Sequence, residues 1–130
     1  GGDIASALAS FDTVILNPGN YTISSQINIS AADKKLICPT GEAVLDISAL
    51  SDTTRCFNVT GSGVVIAGGQ SGGVIRLANG NGNDWPMIFH TSATDCLAYH
   101  IVIDGGEIVG GGAGGRVPLR GAARSADRPA

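Results

Sequence analysis

Two tracks of apolar residues keep a constant interval through most of this 130-residue chain, and that regularity limits the fold more than any other feature. Ile23, Val44, Val65, Met87 and Ile108 follow one another at 21, 21, 22 and 21 residues, and Ile15, Leu36, Phe57, Ala78 and Tyr99 at 21 each. Between them lie short apolar runs, among them "KKLIC", "AVLDI", "CFNV", "GVIRL", "PMIFH" and "YHIVI", usually separated by Gly, Asn, Ser or Asp. Runs of this length bounded by turn residues read as strands. A fixed register of apolar positions implies that each unit sends side chains to the same inward places, which is what a coil of a β-solenoid does. One coil cannot bury its apolar face alone, whereas about five stacked coils form a continuous core and satisfy backbone hydrogen bonds between neighbouring turns.

Composition agrees with an all-β, single-domain chain. Twenty glycines and only 15% charged residues suit short strands and tight turns better than amphipathic helices. In "TVILNPGNYTI", Asn17-Pro18-Gly19-Asn20 supplies the turn chemistry for a corner between two sides of the first coil. Just before it, "GDIASALASF" sets Asp3 ahead of Ile4, Ala7, Leu8 and Phe11, the spacing of a short amphipathic helix with an N-cap acid. That helix is expected over residues 1–12 as a cap on the open end of the coils, which would occupy 13–110. Residues 111–130 leave the repeat: "GGGAGG" reads as a flexible linker and "GRVPLRGAARSADRPA" as a basic, flexible tail.

With that organisation in place, "DIASALASFDTVILNPGNYTI", "INIS" and "KKLICPTGEAVLDI" resemble the N-terminal cap and first coils of the right-handed parallel β-helix (pectin lyase-like) superfamily, which includes pectate lyases, polygalacturonases and phage tailspike proteins. The resemblance spans roughly residues 3 to 110 as a pattern of coils. It implies a right-handed parallel β-helix with a short N-terminal capping helix, and action on or binding of acidic or complex polysaccharides along one long side. The enzymatic patterns are missing, however. Neither paired aspartates, Gly-His-Gly nor Arg-Ile-Lys occurs, and "VIDGGEIVGGG" stops where catalytic coils would begin, so no catalytic residue carries over.

Charge narrows the partners. Residues 1–115 carry four basic groups against ten acids, a balance of −6, while the tail carries four arginines, Arg116, Arg120, Arg124 and Arg128, against Asp127, a balance of +3. An acidic body excludes nonspecific nucleic-acid binding by the main domain, and no run of about 18 apolar residues is present to cross a membrane. The tail is read as a disordered end or, alternatively, a basic arm for an anionic partner. The chain opens on Gly1-Gly2 without an initiator methionine or a basic n-region, so a processed start or a longer parent chain is expected. Cys38, Cys56 and Cys96 form neither a CxxC pair nor an even set, and each sits beside apolar residues, so buried free thiols are expected.

Candidate functional residues are few. In "NGNGNDWPMIFH", Trp85 offers a flat apolar face for a pyranose, Asp84 accepts from hydroxyls and His90 follows; the plain alternative is a Trp packed over a corner. Asp84 and Asp104 are 20 residues apart and would stack on one face of such a coil, so with Glu107 they make a candidate Ca²⁺ site, against the ordinary role of turn carboxylates in capping backbone N–H groups. Asp95 and His100 belong to the same polar stretch. His90 and His100 lack a third spaced ligand and do not read as a zinc pair. Arg76 is the only plausible base inside a strand. Asn20, Asn28 and Asn58 begin Asn-x-Ser/Thr strings, glycan acceptors in a eukaryotic secretory pathway. The expected function is a noncatalytic β-helical module for polysaccharide binding or structural assembly in an extracellular, secreted or virion-associated protein, with homo-oligomerisation through an exposed C-terminal coil. The alternative is the N-terminal part of a polysaccharide lyase or glycoside hydrolase of that superfamily.

Overall fold

The computed structural model describes residues 2–50, 54–69, 71–78 and 86–103, and the backbone of 108–109 and 119–120. One helix, α1 (Gly2–Ser10), precedes the strands β1 (Thr13–Ile15), β2 (Gly19–Thr22), β3 (Ile27–Ile29), β4 (Lys35–Cys38), β5 (Glu42–Asp46), β6 (Phe57–Val59), β7 (Val65–Gly68), β8 (Val74–Ala78), β9 (Met87–Phe89), β10 (Leu97–Tyr99), β11 (Ile101–Ile103), β12 (Ile108–Val109) and β13 (Leu119–Arg120). They form three sheets: A, in the order β1-β4-β7-β10-β13; B, β2-β5-β8-β11; and C, β3-β6-β9-β12. Every strand pairing is parallel. The chain visits A, B and C in turn and returns to A one strand further along, an all-β parallel architecture compatible with a β-helix. Four circuits and the first strand of a fifth are seen among the described residues.

Inside, residues in register form rows of buried side chains. Leu36, Ile66 and Ala98 line up in sheet A; Leu45, Leu77 and Ile103 in sheet B; Ile27, Phe57 and Met87 in sheet C. Burial of each large side chain contributes about 1.5–3 kcal/mol, and parallel stacking makes the rows continuous through the circuits. The helix covers the first circuit with Ile4 and Leu8, both buried, while Ala5 packs partly on the core. Helix formation already includes Gly2, so Asp3 lies in the first turn rather than at the cap. Phe11, expected on the buried stripe, is 64% exposed because the helix ends at Ser10.

The 21-residue register does not survive. Thr13 opposes Lys35, Lys35 opposes Val65 and Val65 opposes Leu97, so the steps between circuits are longer and unequal. Bonds between equivalent places show the same lengthening: Lys34 reaches back 22 residues to Asp12, Asn58 reaches back 30 residues to Asn28, and His90 reaches back 32 residues to Asn58. Of the two apolar tracks only Met87 and Ile108 are in register. Ile15, Leu36 and Tyr99 fall in sheet A, Phe57 in sheet C and Ala78 in sheet B. Between β4 and β10 a 21-residue step is too short for a circuit of three strands. It lands two strands on, in a different sheet, and returns apolar residues only because strands are apolar everywhere.

The true period is kept by the corners. Asp33, Gly63 and Asp95, with φ of 61°, 71° and 59°, occupy the same left-handed place at the turn from sheet C to sheet A in three successive circuits. Asp and Gly are among the residues that tolerate this conformation. Backbone bonds tie the turns together, from Asp33 N–H to Ser62 O at 2.8 Å and from Gly63 N–H to Thr94 O at 2.9 Å. The corner from A to B also uses positive φ, at Gly41, Gly72 and His100, but these lie two, three and one residues before the aligned Ala43, Ile75 and Ile101 and so do not form one stack.

Candidate functional site

Four of the residues singled out from sequence, Asp84, Trp85, Asp104 and Glu107, lie outside the described residues. His90 is described, and it is exposed just past β9. It does not stand alone. Its Nε2 lies 2.6 Å from Asn58 Oδ1. Asn58 Nδ2 donates to Asn28 Oδ1 at 3.0 Å, and Gln26 Nε2 donates to the same oxygen at 2.8 Å. The line ends where the backbone N–H of Arg55 donates to Gln26 Oε1 at 3.1 Å.

The fold makes this line from the sequence in a direct way. Parallel pairing sets Asn28 opposite Asn58, and the alternation in "INI" and "FNV" buries the flanking side chains while turning both amides outward. Identical amides on neighbouring in-register strands hydrogen-bond as a ladder. His90 joins from the next circuit, anchored by its backbone N–H to Val59 O at 3.0 Å. Because Asn58 gives its Nδ2–H to Asn28, its Oδ1 faces the imidazole, so Nε2 of His90 is the donor in this contact. Asn28 Oδ1 thus accepts two hydrogen bonds within the chain and the oxygens of Asn58 and Gln26 one each, which leaves the remaining amide N–H bonds, one lone pair on each of Asn58 and Gln26, and Nδ1 of His90 to a ligand. Such a strip offers hydrogen-bond donors to hydroxyl, ether or carboxylate oxygens. It contains no carboxylate, and its one group able to act as a base is the His90 imidazole.

The other candidates are dispersed. Asp95 forms the corner from sheet C to sheet A, whereas His100 forms the corner from A to B. His100 Nδ1 is 3.3 Å from Gly68 O, and its ring meets Tyr99 edge-on at 5.4 Å and 78°. His90 and His100 therefore sit on different corners, in keeping with their reading as unrelated histidines. Arg76, a possible base by sequence, donates through Nε to Glu42 Oε2 at 2.9 Å on the outer side of sheet B. No group of three or more His, Cys, Asp or Glu suited to a metal ion occurs among the described residues. No helix among them is long and apolar enough to cross a membrane.

Cys38, Cys56 and Cys96 are buried and free, as their apolar surroundings implied. Burial pushes the thiols of Cys56 and Cys96 up from the ordinary cysteine value, the direction of an inert core thiol rather than a nucleophile. An open cleft of about 170 Å³ runs between α1 and β3, floored by Ala5, Leu8 and Ile29 and edged by Asn28 and Lys34, so it meets the end of the amide line.

Sequence reasoning missed Gln26, Asn28 and Asn58 as one site. The signal was present in "INIS" and "FNVT", which repeat one strand-Asn-strand-hydroxyl frame with 30 residues between the two asparagines. As Asn-x-Ser/Thr strings the two asparagines offer glycan acceptors or plain outward strand residues, and the 21-residue register places them out of step. No family model matches this chain, and neither a curated protein nor a solved structure matches it.

Proposed function

We propose that this chain is a noncatalytic, right-handed parallel β-helical module that binds polysaccharide along the outer face of sheet C, within an extracellular or virion-associated protein. The observation that carries the reading is the line from Gln26 through Asn28 and Asn58 to His90. A sugar chain lying across the strands meets one of these polar groups at each of the first three circuits, about every 4.8 Å. Preformed donors held by their own hydrogen bonds lose little side-chain freedom on binding, which favours an extended ligand over a small one. The cap and first-circuit resemblance to the pectin lyase-like superfamily points to the same ligand class. Trp85 and Asp84 are proposed as a stacking platform for the same ligand class, and a Ca²⁺ site at Asp84, Asp104 and Glu107 would add bridging to an acidic sugar.

Affinity electrophoresis through gels containing a panel of neutral and acidic polysaccharides tests this. Retardation by at least one polysaccharide is expected, together with its loss in the double variant Asn28→Ala, Asn58→Ala at an unchanged circular dichroism spectrum. Mobility unaffected by every polysaccharide in the panel defeats the reading. The second reading, the front of a polysaccharide lyase or glycoside hydrolase, rests on the resemblance alone and is distinguished by release of unsaturated or reducing sugar ends.

A further inference from the structure

We propose that the cleft between α1 and β3 is a binding site for a small carboxylate with a compact apolar body. The site goes beyond the polysaccharide reading, because it lies at one end of the amide line and shares only Asn28 with it. Its floor is Ala5, Leu8 and Ile29, and its rim is Asn28, Ser30 and Lys34. That rim brings an amide, a hydroxyl and an ammonium to the cleft, and no carboxylate side chain lines it among the described residues.

The direction of the amide line is the first observation that makes the rim electropositive. His90 Nε2 donates to Asn58 Oδ1 at 2.6 Å and Asn58 Nδ2 donates to Asn28 Oδ1 at 3.0 Å, so both bonds run the same way, from the third circuit toward the first. Gln26 Nε2 donates to Asn28 Oδ1 as well, at 2.8 Å. With both lone pairs of that oxygen taken, Asn28 brings to the cleft its Nδ2–H groups, which have no partner among the described residues. Hydrogen bonds arranged head to tail polarise one another, so the donor at the end of the row is strengthened for an acceptor.

Lys34 is the second observation, a cation whose side chain is only 11% exposed. Its ammonium donates to Phe11 O at 3.1 Å and reaches Asp12 Oδ1 at 3.4 Å, long for a charged pair, and the Asp12 side chain is 87% exposed and lies outside the lining of the cleft. Three N–H groups serve two partners, so one is left to a ligand. A mostly desolvated ammonium with this much uncompensated charge draws an anion.

The floor decides which anion. One ammonium and one amide match the two oxygens of a single carboxylate, whereas a bare inorganic anion would set part of its hydration shell against Leu8 and Ile29, which cannot replace it. A cleft of about 170 Å³ is close to the roughly 150 Å³ of a cavity that takes benzene, so the body has the size of one six-membered ring. A hexuronate fits less well, because it would press ring hydroxyls onto the same apolar side chains.

Nitrogen-15 NMR of the full chain titrated with benzoate reads the site, with saturation expected at a Kd of about 1 mM for so small a ligand. Shifts are expected at Ala5, Leu8, Ala9, Ser30, Lys34 and the side-chain amide of Asn28. Benzyl alcohol, of similar size but uncharged, and galacturonate, charged but hydroxylated, are each expected to bind about tenfold more weakly. Lys34→Met keeps the aliphatic stem and removes the charge, so it should weaken benzoate by about tenfold and leave benzyl alcohol unchanged, whereas a loosened helix would weaken both. Ala9→Phe fills the cleft from its exposed wall and should abolish binding of both compounds while polysaccharide retention persists, so this proposal and the polysaccharide reading fail separately. Benzoate shifts that do not saturate or that fall elsewhere overturn the proposal. So does galacturonate or benzyl alcohol bound as tightly as benzoate, or benzoate bound undiminished by Lys34→Met.

Discussion

Sheets A and C are built on the same plan and present opposite surfaces. Each stacks short parallel strands, each buries alternate residues in continuous rows, and each is closed by turns that repeat through the circuits. On the outside, sheet C turns out Asn28, Asn58 and Ile88, with His90 joined to Asn58, whereas sheet A turns out Ile15, Ile37, Val65, Leu97 and Tyr99 beside Thr13 and Lys35. Inner positions are constrained by packing, so they read alike in every sheet. Outer positions are released from the core and carry whatever distinguishes one face from another. In a fold of this kind the function has to be sought in the outward half of each strand, and the period must be right before those residues fall into line.

The largest test of the comparison asks whether both faces hang on one core. Phe57 is fully buried in sheet C and Ile66 in sheet A. Phe57→Ala is expected to cost about 3–5 kcal/mol and Ile66→Ala about 2–5 kcal/mol in chemical denaturation, each in a single cooperative transition. Two separable transitions would mean that the faces are held by separate units.

Alkaline pH probes the same core more gently. In the unfolded chain the thiols of Cys56 and Cys96 ionise at about pH 8.5, but burial holds them protonated in the fold above that value. Above about pH 8.5 the unfolded chain therefore binds fewer protons than the native one, so stability is fully present below that pH and falls as pH rises. The slope approaches about 1.4 kcal/mol per pH unit for each such thiol. Urea midpoints measured at pH 7, 8.5 and 9.5 give the result, and a flat profile would show that these thiols open to water before the chain unfolds.

The smallest effects separate the two outer faces. Asn58→Ala removes the central rung of the amide line and should cost about 1 kcal/mol, since its partners are solvent-accessible and regain water. Ile37→Thr on sheet A should change stability by less than about 0.5 kcal/mol, because it keeps a β-branched residue on a surface strand. A larger loss for Ile37→Thr than for Asn58→Ala would show that the apolar face of sheet A packs within the monomer.

Much of this could be read before any tertiary information. β1 and β2 do arise within "TVIL" and beside "YTI" on two different sheets, although β2 already begins at Gly19, so that only Leu16, Asn17 and Pro18 join them, and Ile4 and Leu8 do cover the first circuit. The candidate site was less legible. His90 was singled out beside Trp85, its neighbour in sequence, while its partner in the structure, Asn58, lies 32 residues away. Nothing local marks Asp33 and Asp95 as members of one stack with Gly63.

The sequence by itself determined the strands up to β12 but not β13, which falls where a tail outside the repeat is expected, together with the inward half of each strand, the helix that covers the first circuit and the burial of the three thiols. Each follows from local alternation and from the free energy of hiding apolar groups, which act within a few residues. Only the tertiary structure decided the circuit length, and with it which residues become neighbours. That length is set by stacked corners and by parallel backbone pairing of Thr13 with Lys35, Lys35 with Val65 and Val65 with Leu97. Such pairing fixes the length because a slip by a single residue would turn a strand's buried side chains outward, and every strand above and below resists it.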